Sequence, residues 1–508
     1  MLVLVLLLIF IAKKSIINLV VFTLEFKLTV NLYKYKTTRK VDLIMDKRIE
    51  NFFNSIKGKK VAFCGIGTSN LPLIELFIKY GAVVTACDRR TREQLGENAD
   101  IAENAGAVLS LGEDYLKNLD VDIVFRTPGM RYYMDELVEM RDRGVVVTSE
   151  MELFFELCPC KIYAVTGSDG KTTTTSIIAE MLKAQGKAVH LGGNIGTPLL
   201  PQIESIDYND VAVVELSSFQ LISMRKGPDV AVVTNLAPNH LDIHKDMQEY
   251  IDSKKNLVIH QSAFSKTVLN KDNEITESFT ECCRGRVLKF SRKSAVNNGV
   301  YLDENGDIIV ADNGIKTTVM NMSDIKIPGM HNVENYMSAI TAVWGDVDAE
   351  NIVKVAKEFS GVEHRAEFVR ELDGVKYYND SIASSPTRTA LGTLSLYDFK
   401  IILIAGGYDK KIPYDSLGPI IADKVKYLIL MGATAPKIEQ SVLSADNYTE
   451  GNPVIIKVNN MEEAVAKARE VAVEGDIVSM SPASASFDLY KNFDERGKHF
   501  KSIVNALV

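Results

Sequence analysis

From Lys59 onward the chain alternates between short apolar runs and longer stretches in which apolar residues return every three or four positions. "KKVAFCGIG" is an apolar run closed by glycines, "NLPLIELFIKY" has helical spacing, and "AVVTACD" is a second apolar run ending in Asp88. Runs of the first kind predict buried strands and the stretches between them amphipathic helices, the alternation that builds parallel α/β sheets. "VDIVFRTPGM" and "GVVVTSE" continue it. A second block begins near residue 151. It holds "KIYAVTG", "KAVHLGGNIG", "VAVVELSS" and "VAVVTNL", four predicted strands that end in small or polar residues able to meet a ligand. The stretch from "SFTECC" to "IIVADNG" predicts hairpins turning at "NNG" and "ENGD", and "MHNVENYMSAITAVW" predicts a helix. A third block starts near "GVEHRAEFV", with strands expected in "GVKYYND", "KIILIAGG", "VKYLILMG", "NPVIIKV" and "GDIVSMSP". Three α/β domains in series are expected, over residues 45–150, 151–360 and 361–508.

Length supports that division, since 508 residues exceed what one core holds. Apolar content of 46% and charged content of 24% are those of an ordinary globular protein. A net charge of −8 argues against nucleic acid as a partner. The six cysteines show no paired C-x-x-C spacing, and "CPC" at 158–160 is too tight for a zinc knuckle, so free thiols in a reducing compartment are expected. Residues 1–44 stand apart. They open with 12 apolar residues, followed by Lys13 and Lys14. As a helix that run spans about 18 Å, short of the roughly 30 Å hydrocarbon core. A signal peptide would place its positive charge before the run. The extension is expected to reflect a start assigned ahead of Met45, with a membrane-proximal anchor as the alternative.

"YAVTGSDGKTTTTSIIAEML" carries the first chemistry. A strand delivers Gly167, Ser168, Asp169 and Gly170, whose backbone N–H groups can approach an anion, and a helix follows with its positive end toward that anion. Lys171 would meet the β and γ phosphates and Thr172 would offer a hydroxyl to Mg²⁺, with Thr173 in the same first turn. The loop is shorter than the general G-x4-G-K-[ST] pattern. Glu215 closes a very apolar strand, where an acid is costly unless it meets a cation, and His240 and Asp242 follow another such strand. Glu215 and His240 are therefore candidate magnesium ligands. In the first block, "GIGTSN" with Asp88 is a weak dinucleotide fingerprint in which Asn70 replaces the third glycine.

"TGSDGKTTT", "GGNIGTPL", "ELSSFQL", "TNLAPNHLD", "YIDSKKN", "PGMHNVENYMSAI", "EHRAEFV", "NDSIASSPT", "AGGYDKK" and "SPASASFDLYKNFDERGKHF" occur in the order seen in the Mur ligases. From about residue 50 to its end the chain resembles that family of ATP-dependent amide-forming enzymes. "ELSSFQL" and the C-terminal motif resemble the members that add D-glutamate to UDP-N-acetylmuramoyl-L-alanine. The resemblance implies a Rossmann-like N-terminal domain binding the UDP-substrate, a P-loop ATPase-like central domain with a mostly parallel sheet, and a Rossmann-like C-terminal domain. It implies an acyl-phosphate route, a cytoplasmic monomer, and no nucleic-acid partner.

Matched residue by residue, Lys171 and Thr172 fall on phosphate and first-magnesium positions, with Glu215 sharing that ion and His240 holding a second. Lys254 falls where the family carries a CO₂ adduct, a lysine carbamate, although Lys255 is adjacent. Asn332 and Asn335 match adenine-side positions, while Arg365 and Asp380 match C-terminal groups that reach the nucleotide. Lys410, Ser486, Phe487 and Phe493 match the D-glutamate pocket, and Asn194 a muramoyl contact. Gly65, Gly67, Thr68 and Ser69 would hold the UDP diphosphate, with Asp88 and Arg89 on the uracil side. Two departures stand out. Ile382 replaces a lysine common in the family, leaving Lys410 or Lys411 to meet the incoming side-chain carboxylate, and Ser168-Asp169 replaces the commoner Thr-Asn. A nicotinamide oxidoreductase would leave Lys171, Glu215 and His240 unexplained. A non-catalytic nucleotide sensor would not need them together. A sister ligase for another amino acid is the nearest rival.

Overall fold

The computed structural model describes residues 47–238 and 243–508. The extension 1–44, Met45, His240 and Asp242 lie outside the described residues. The described residues form two compact units, one of residues 47–166, 187–231 and 243–265, the other of residues 167–186, 232–238 and 266–508. The architecture is mixed α/β with mostly parallel strands, as the alternating pattern predicts.

In the first unit, β1 (Lys60–Cys64), β2 (Val83–Asp88), β3 (Val108–Leu111), β4 (Ile123–Arg126) and β5 (Val146–Thr148) form a parallel sheet in the order β3-β2-β1-β4-β5. The chain order reverses between β1 and β4, and such a switch point opens a crevice at the strands' carboxyl ends. Phe63, Phe77 and Phe125 pack ring on ring beneath it, Phe63 and Phe77 with centroids 5.1 Å apart, and none of the three is exposed above 1%. Each such ring is worth about 1.5–3 kcal/mol of burial. The unit also holds β6 (Lys161–Thr166), β7 (Val189–Gly193) and β8 (Val211–Glu215), with β8 pairing parallel to both others and placing Glu215 level with Val165 and Gly193. The strand β9 (Val230–Val233) is buried throughout.

In the second unit, β10 (Lys266–Asn270), β11 (Arg286–Ser291), β12 (Gly299–Leu302), β13 (Asp307–Asp312) and β14 (Ile315–Asn321) follow one another. The "ENGD" turn makes the expected hairpin between β12 and β13. The expected hairpin at "NNG" is absent, because β11 and β12 run parallel. Gly299 serves a close strand approach instead: its φ is +131° and a Cβ there would strike the Lys289 carbonyl oxygen. Further on, β15 (Glu367–Leu372), β16 (Val375–Asn379), β17 (Ile401–Ala405), β18 (Val425–Leu430), β19 (Val454–Lys457) and β20 (Ile477–Met480) form a sheet in the order β15-β16-β20-β17-β18-β19, antiparallel only at β15. Apolar clusters cover both of its faces. The loops after β16, β20 and β17 therefore leave the sheet side by side at one edge. All six cysteines are free thiols.

Candidate active site

In the second unit, Gly167 to Gly170 lead into the helix Lys171–Ala184. A Cβ on Gly167 would strike Thr234 Oγ1, and one on Gly170, at φ +76°, would strike Asn335 Oδ1, so both glycines are sterically required. The loop is held from below by the segment after β9. Ser168 N donates to Asn235 O at 2.8 Å, Asp169 N to Asn235 Oδ1 at 3.0 Å, and Thr234 Oγ1 to Asp169 O at 2.6 Å. Ser168 Oγ both donates to Ala237 O and accepts from Ala237 N, each at 2.9 Å. Ser168 is thus spent on bracing the loop, while Asp169 faces outward, where its charge is hydrated. No side chain caps the helix that follows, so its first N–H groups are available to an anion. Lys171 Nζ lies over the loop, 3.0 Å from Gly167 O and 2.9 Å from Ser168 O, and Thr172 and Thr173 are half-buried beside it. Asn335 reaches this helix through Thr174 Oγ1 at 3.3 Å and donates to Asn332 Oδ1 at 3.0 Å, so the two asparagines stand together.

In the first unit, Glu215 is 1% exposed. Its Oε1 accepts from Asn194 Nδ2 at 2.8 Å, while Oε2 is buried without a hydrogen-bond partner among the described residues. An orphaned buried carboxylate oxygen suits a hard divalent cation, and magnesium takes one or two protein carboxylates and completes its shell with phosphate and water. Among the described residues no three His, Cys, Asp or Glu side chains form a fuller metal cage. Lys254 is 1% exposed and Lys255 half-buried, so Lys254 is the inner of the two. Its Nζ donates to Thr166 Oγ1 at 3.1 Å and lies 5.0 Å from the Tyr250 ring centroid. Thr166 Oγ1 donates in turn to Leu216 O at 2.7 Å, and Thr166 is the residue that precedes Gly167 in the chain. "ELSSFQL" forms a short helix with a Ser217–Gln220 capping box, and His244 Nε2 lies 2.8 Å from Ser218 Oγ. Those bonds shape the segment that follows Glu215.

The crevice above β1 and β4 is also built. Gly65, at φ +94°, faces Thr127, whose Cγ2 would lie 2.8 Å from a Cβ there. Asn70 is buried and donates to Cys64 O at 3.0 Å, closing the turn that a third glycine would otherwise make. Gly67 and Ser69 are half-buried and Thr68 is exposed along its rim. Asp88 accepts from Ile66 N at 2.8 Å and from Arg90 at 2.9–3.0 Å. Burial pushes its carboxyl up, but the bonds from Arg90 and the Ile66 N–H outweigh that and hold it below the ordinary range. Arg89, expected here, points instead toward Glu113 at 3.7 Å. Arg90, which sequence reasoning missed, is the cation that pairs with Asp88, because a residue two beyond a strand end can fold back over it.

At the edge of the six-stranded sheet, Tyr408 N donates to Ala485 O at 2.9 Å and the Tyr408 and Phe487 rings meet at 5.8 Å, which brings the loop carrying exposed Lys410 beside buried Ser486. Ser381 Oγ donates to Phe493 O at 2.6 Å. Arg496, also missed, is 1% exposed and pins these loops, donating to Ser381 Oγ and O and to the Ser484 and Ala485 carbonyls at 2.8–3.1 Å. Burial lowers its guanidinium to about 10. Arg388 Nη1 donates to the carbonyl of Ile382 at 3.3 Å, so an exposed cation lies against the loop that carries Ile382. Burial raises the Asp380 carboxyl to about 6, against hydrogen bonds from Thr393, Ala366 N–H and Ser481 and the charge of Arg365.

Among the described residues no helix is long and apolar enough to cross a membrane. The pattern described as "Mur ligase middle domain" matches residues 165–343, and "Mur ligase, glutamate ligase domain" matches residues 364–484. The UDP-N-acetylmuramoylalanine--D-glutamate ligase of Acetivibrio thermocellus is 53% identical over 466 residues, covering 91% of this chain and 100% of that protein. The enzyme of the same name from Clostridium acetobutylicum is 52% identical over 471 residues, with the same coverage. The solved UDP-N-acetylmuramate-alanine ligase of Thermotoga maritima, at 17% identity and a TM-score of 0.52 over 88% of this chain and 99% of that one, shares the fold. The matched patterns bracket the glycine loop and the six-stranded sheet edge, and identity above one half runs the whole length of relatives such as these. On that footing the chain belongs to the Mur ligase family.

Proposed function

We propose that the chain uses ATP to join D-glutamate to UDP-N-acetylmuramoyl-L-alanine, the activity named in its relatives of about 50% identity. The phosphate loop carries this reading: a sterically required pair of glycines, an uncapped helix start and Lys171 over both suit a nucleotide triphosphate. Residues 45–150 take the UDP-substrate, 151–360 take ATP, and 361–508 take D-glutamate and complete the nucleotide site.

Lys171 and the first-turn N–H groups bind the β and γ phosphates, with Asn332 and Asn335 on the adenine side. Thr172, Glu215, His240 and Lys254, the last as a carbamate, would hold two magnesium ions. A buried ammonium is costly and cannot ligate a cation, whereas its CO₂ adduct is an anionic oxygen donor. Bound magnesium would screen the repulsion between a substrate carboxylate and the γ-phosphate. The alanyl carboxylate attacks the γ-phosphorus and ADP leaves. The D-glutamate amine then attacks the acyl-phosphate carbon, losing a proton as phosphate departs from the tetrahedral adduct. Asn194 orients the muramoyl end. Gly67, Thr68, Ser69 and the Asp88–Arg90 pair hold the UDP.

Lys410, Ser486, Phe487 and Phe493 surround the incoming amino acid, with Arg388 supplying the charge that Ile382 lacks. An arginine fork can meet a carboxylate with two parallel bonds. The test is ADP release with the UDP-muramoyl-alanine substrate and D-Glu, L-Glu, L-Ala or L-Lys in turn. D-Glu alone should support turnover; release with another amino acid, or indifferent to all four, would reject the reading.

A further inference from the structure

Arg126 closes β4 level with Cys64 and is 1% exposed. A buried guanidinium is costly unless its donors find acceptors. Here Nη1 donates to Met130 O at 3.3 Å, and Nη2 donates to Phe219 O at 2.8 Å and to Ser223 Oγ at 2.7 Å. Its Nε is buried with no hydrogen-bond partner among the described residues. Ser223 Oγ donates in turn to Glu152 Oε1, which also accepts from Ser149 Oγ at 3.0 Å. Guanidinium and carboxylate are thus joined through one hydroxyl, and both serines are buried. Burial pushes the arginine down and the glutamate up, each against the other's charge.

The acceptors lie on two segments far apart in the chain. Met130 N donates to Thr127 O at 3.0 Å, which closes a turn, and Thr127 N donates to Cys64 O at 3.0 Å. Arg126 holds that turn at both ends, through the peptide bond to Thr127 and through Met130 O. Thr127 is the residue that faces Gly65 in the crevice above β1 and β4. Phe219, by contrast, belongs to the short helix Ser218–Leu221, which follows Glu215 closely. The end of that helix is held from elsewhere by Asn256, whose Nδ2 donates to Leu221 O at 3.0 Å and Ile222 O at 3.2 Å. Asn256 shares the helix Met247–Ile259 with Lys254. One buried arginine therefore ties the crevice turn to a short helix anchored to the segments of Glu215 and Lys254.

We propose that Arg126 is a positioning residue that sets the span between the crevice turn and the Ser218–Leu221 helix, and so places the reacting carboxylate of a substrate anchored at its other end by a nucleoside diphosphate. This rests on the reading of the crevice as the UDP site and of Glu215 as a magnesium ligand. The guanidinium is enclosed by protein, so it acts through Thr127 and Phe219 rather than on the substrate. A planar fork suits the task, since its branches reach acceptors on two segments along fixed directions, which a single ammonium does not. Reacting atoms displaced by about 1 Å lose about 100-fold in rate, so a small change of span is costly.

Arg126→Met combined with Glu152→Gln in the full chain removes both charges together, so no buried ion is left unpaired. ADP release at saturating UDP-muramoyl-alanine substrate, ATP and D-glutamate should fall about 10- to 100-fold in this double variant, with KM for ATP within about twofold. Its thermal midpoint should stay within about 4 °C of wild type. Wild-type turnover there would mean that Arg126 only neutralises Glu152, and the proposal is overturned. Should the double variant fail to fold, Arg126→Lys decides. It keeps the charge beside Glu152 and loses the fork, so turnover should fall by a similar factor, and wild-type turnover overturns the proposal equally. Binding of UDP alone, followed by calorimetry, should stay within about threefold in either variant, because UDP would occupy the crevice without spanning to the helix. A loss of UDP affinity as large as the loss of turnover would make Arg126 part of the crevice itself and overturn the proposal. A wild-type chain that releases no ADP with D-glutamate would instead reject the functional reading.

Discussion

Glu150 offers a stability measurement whose sign and size both follow from the structure. It begins the helix Glu150–Leu157, and its Oε1 alone accepts both Leu199 N at 3.0 Å and Leu200 N at 2.9 Å, clamping the chain just beyond the Asn194 loop. Burial raises its carboxyl from an ordinary 4.5 to about 7, although those two N–H bonds pull the other way. At about 1.4 kcal/mol per pH unit, the folded state disfavours the carboxylate by about 3 kcal/mol. A carboxyl raised in this way supports the fold while protonated. That support is whole below pH 4.5 and is lost as pH rises through 7. Glu150→Gln keeps the accepting oxygen and removes the titration. The variant should match wild type near pH 4.5 and exceed it increasingly up to pH 8, by about 3 kcal/mol there. For a unit of this size that is a rise of about 6–12 °C in thermal midpoint. The assay is thermal unfolding of both proteins at half-unit steps from pH 4.5 to 8. A constant offset across that range, or a variant less stable at pH 8, would refute the reasoning, since either means the acid is ionised and compensated in the fold.

Other perturbations test the site directly. Lys171→Ala should abolish ADP formation while binding of the UDP-substrate, followed by calorimetry, stays within about twofold, since the proposed role of the lysine is to meet the phosphates. Lys254→Ala should lose activity that added formate or acetate partly restores by supplying an oxygen donor; full activity in the unsupplemented variant would dispose of the carbamate. Arg388→Gln should raise KM for D-glutamate about tenfold, the cost of losing a charged hydrogen bond, with KM for ATP unmoved. Adding Ile382→Lys to that variant should recover most of the loss, and an unaltered KM in the single variant would remove Arg388 from the pocket.

What the sequence disclosed and what it hid divide along one physical line, the distance in the chain over which a residue's role is decided. The strand that ends in Gly167-Ser168-Asp169-Gly170 and the helix from Lys171 are local: apolar periodicity, glycine and lysine within a dozen residues suffice, and the structure places them as expected. Asp88 at a strand end was equally visible, but its partner was not. Two arginines follow it, and only the fold-back of the chain selects Arg90 over Arg89. Lys254 and Lys255 pose the same difficulty, because neighbouring positions on a helix differ by about 100° in facing and the pattern alone does not say which side is core. "NNG" misled for a related reason: a glycine at positive φ signals equally a tight turn or a backbone pressed close to another strand, and Gly299 proves to be the second. Arg388, Arg496 and His364 lay beyond reach altogether. Arg388 acts on a carbonyl six residues back, Arg496 on loops from two other strands, and His364 through an asparagine on β16 and an aspartate on the last helix. Arg496 and His364 have no local signature, because each is defined by strands that bring the ends of distant segments to one edge, whereas the Arg388 contact is made within one loop that apolar periodicity does not describe. In this chain the glycine loop is therefore legible in the sequence, whereas the arginine and histidine contacts at the sheet edge are assembled only in the fold.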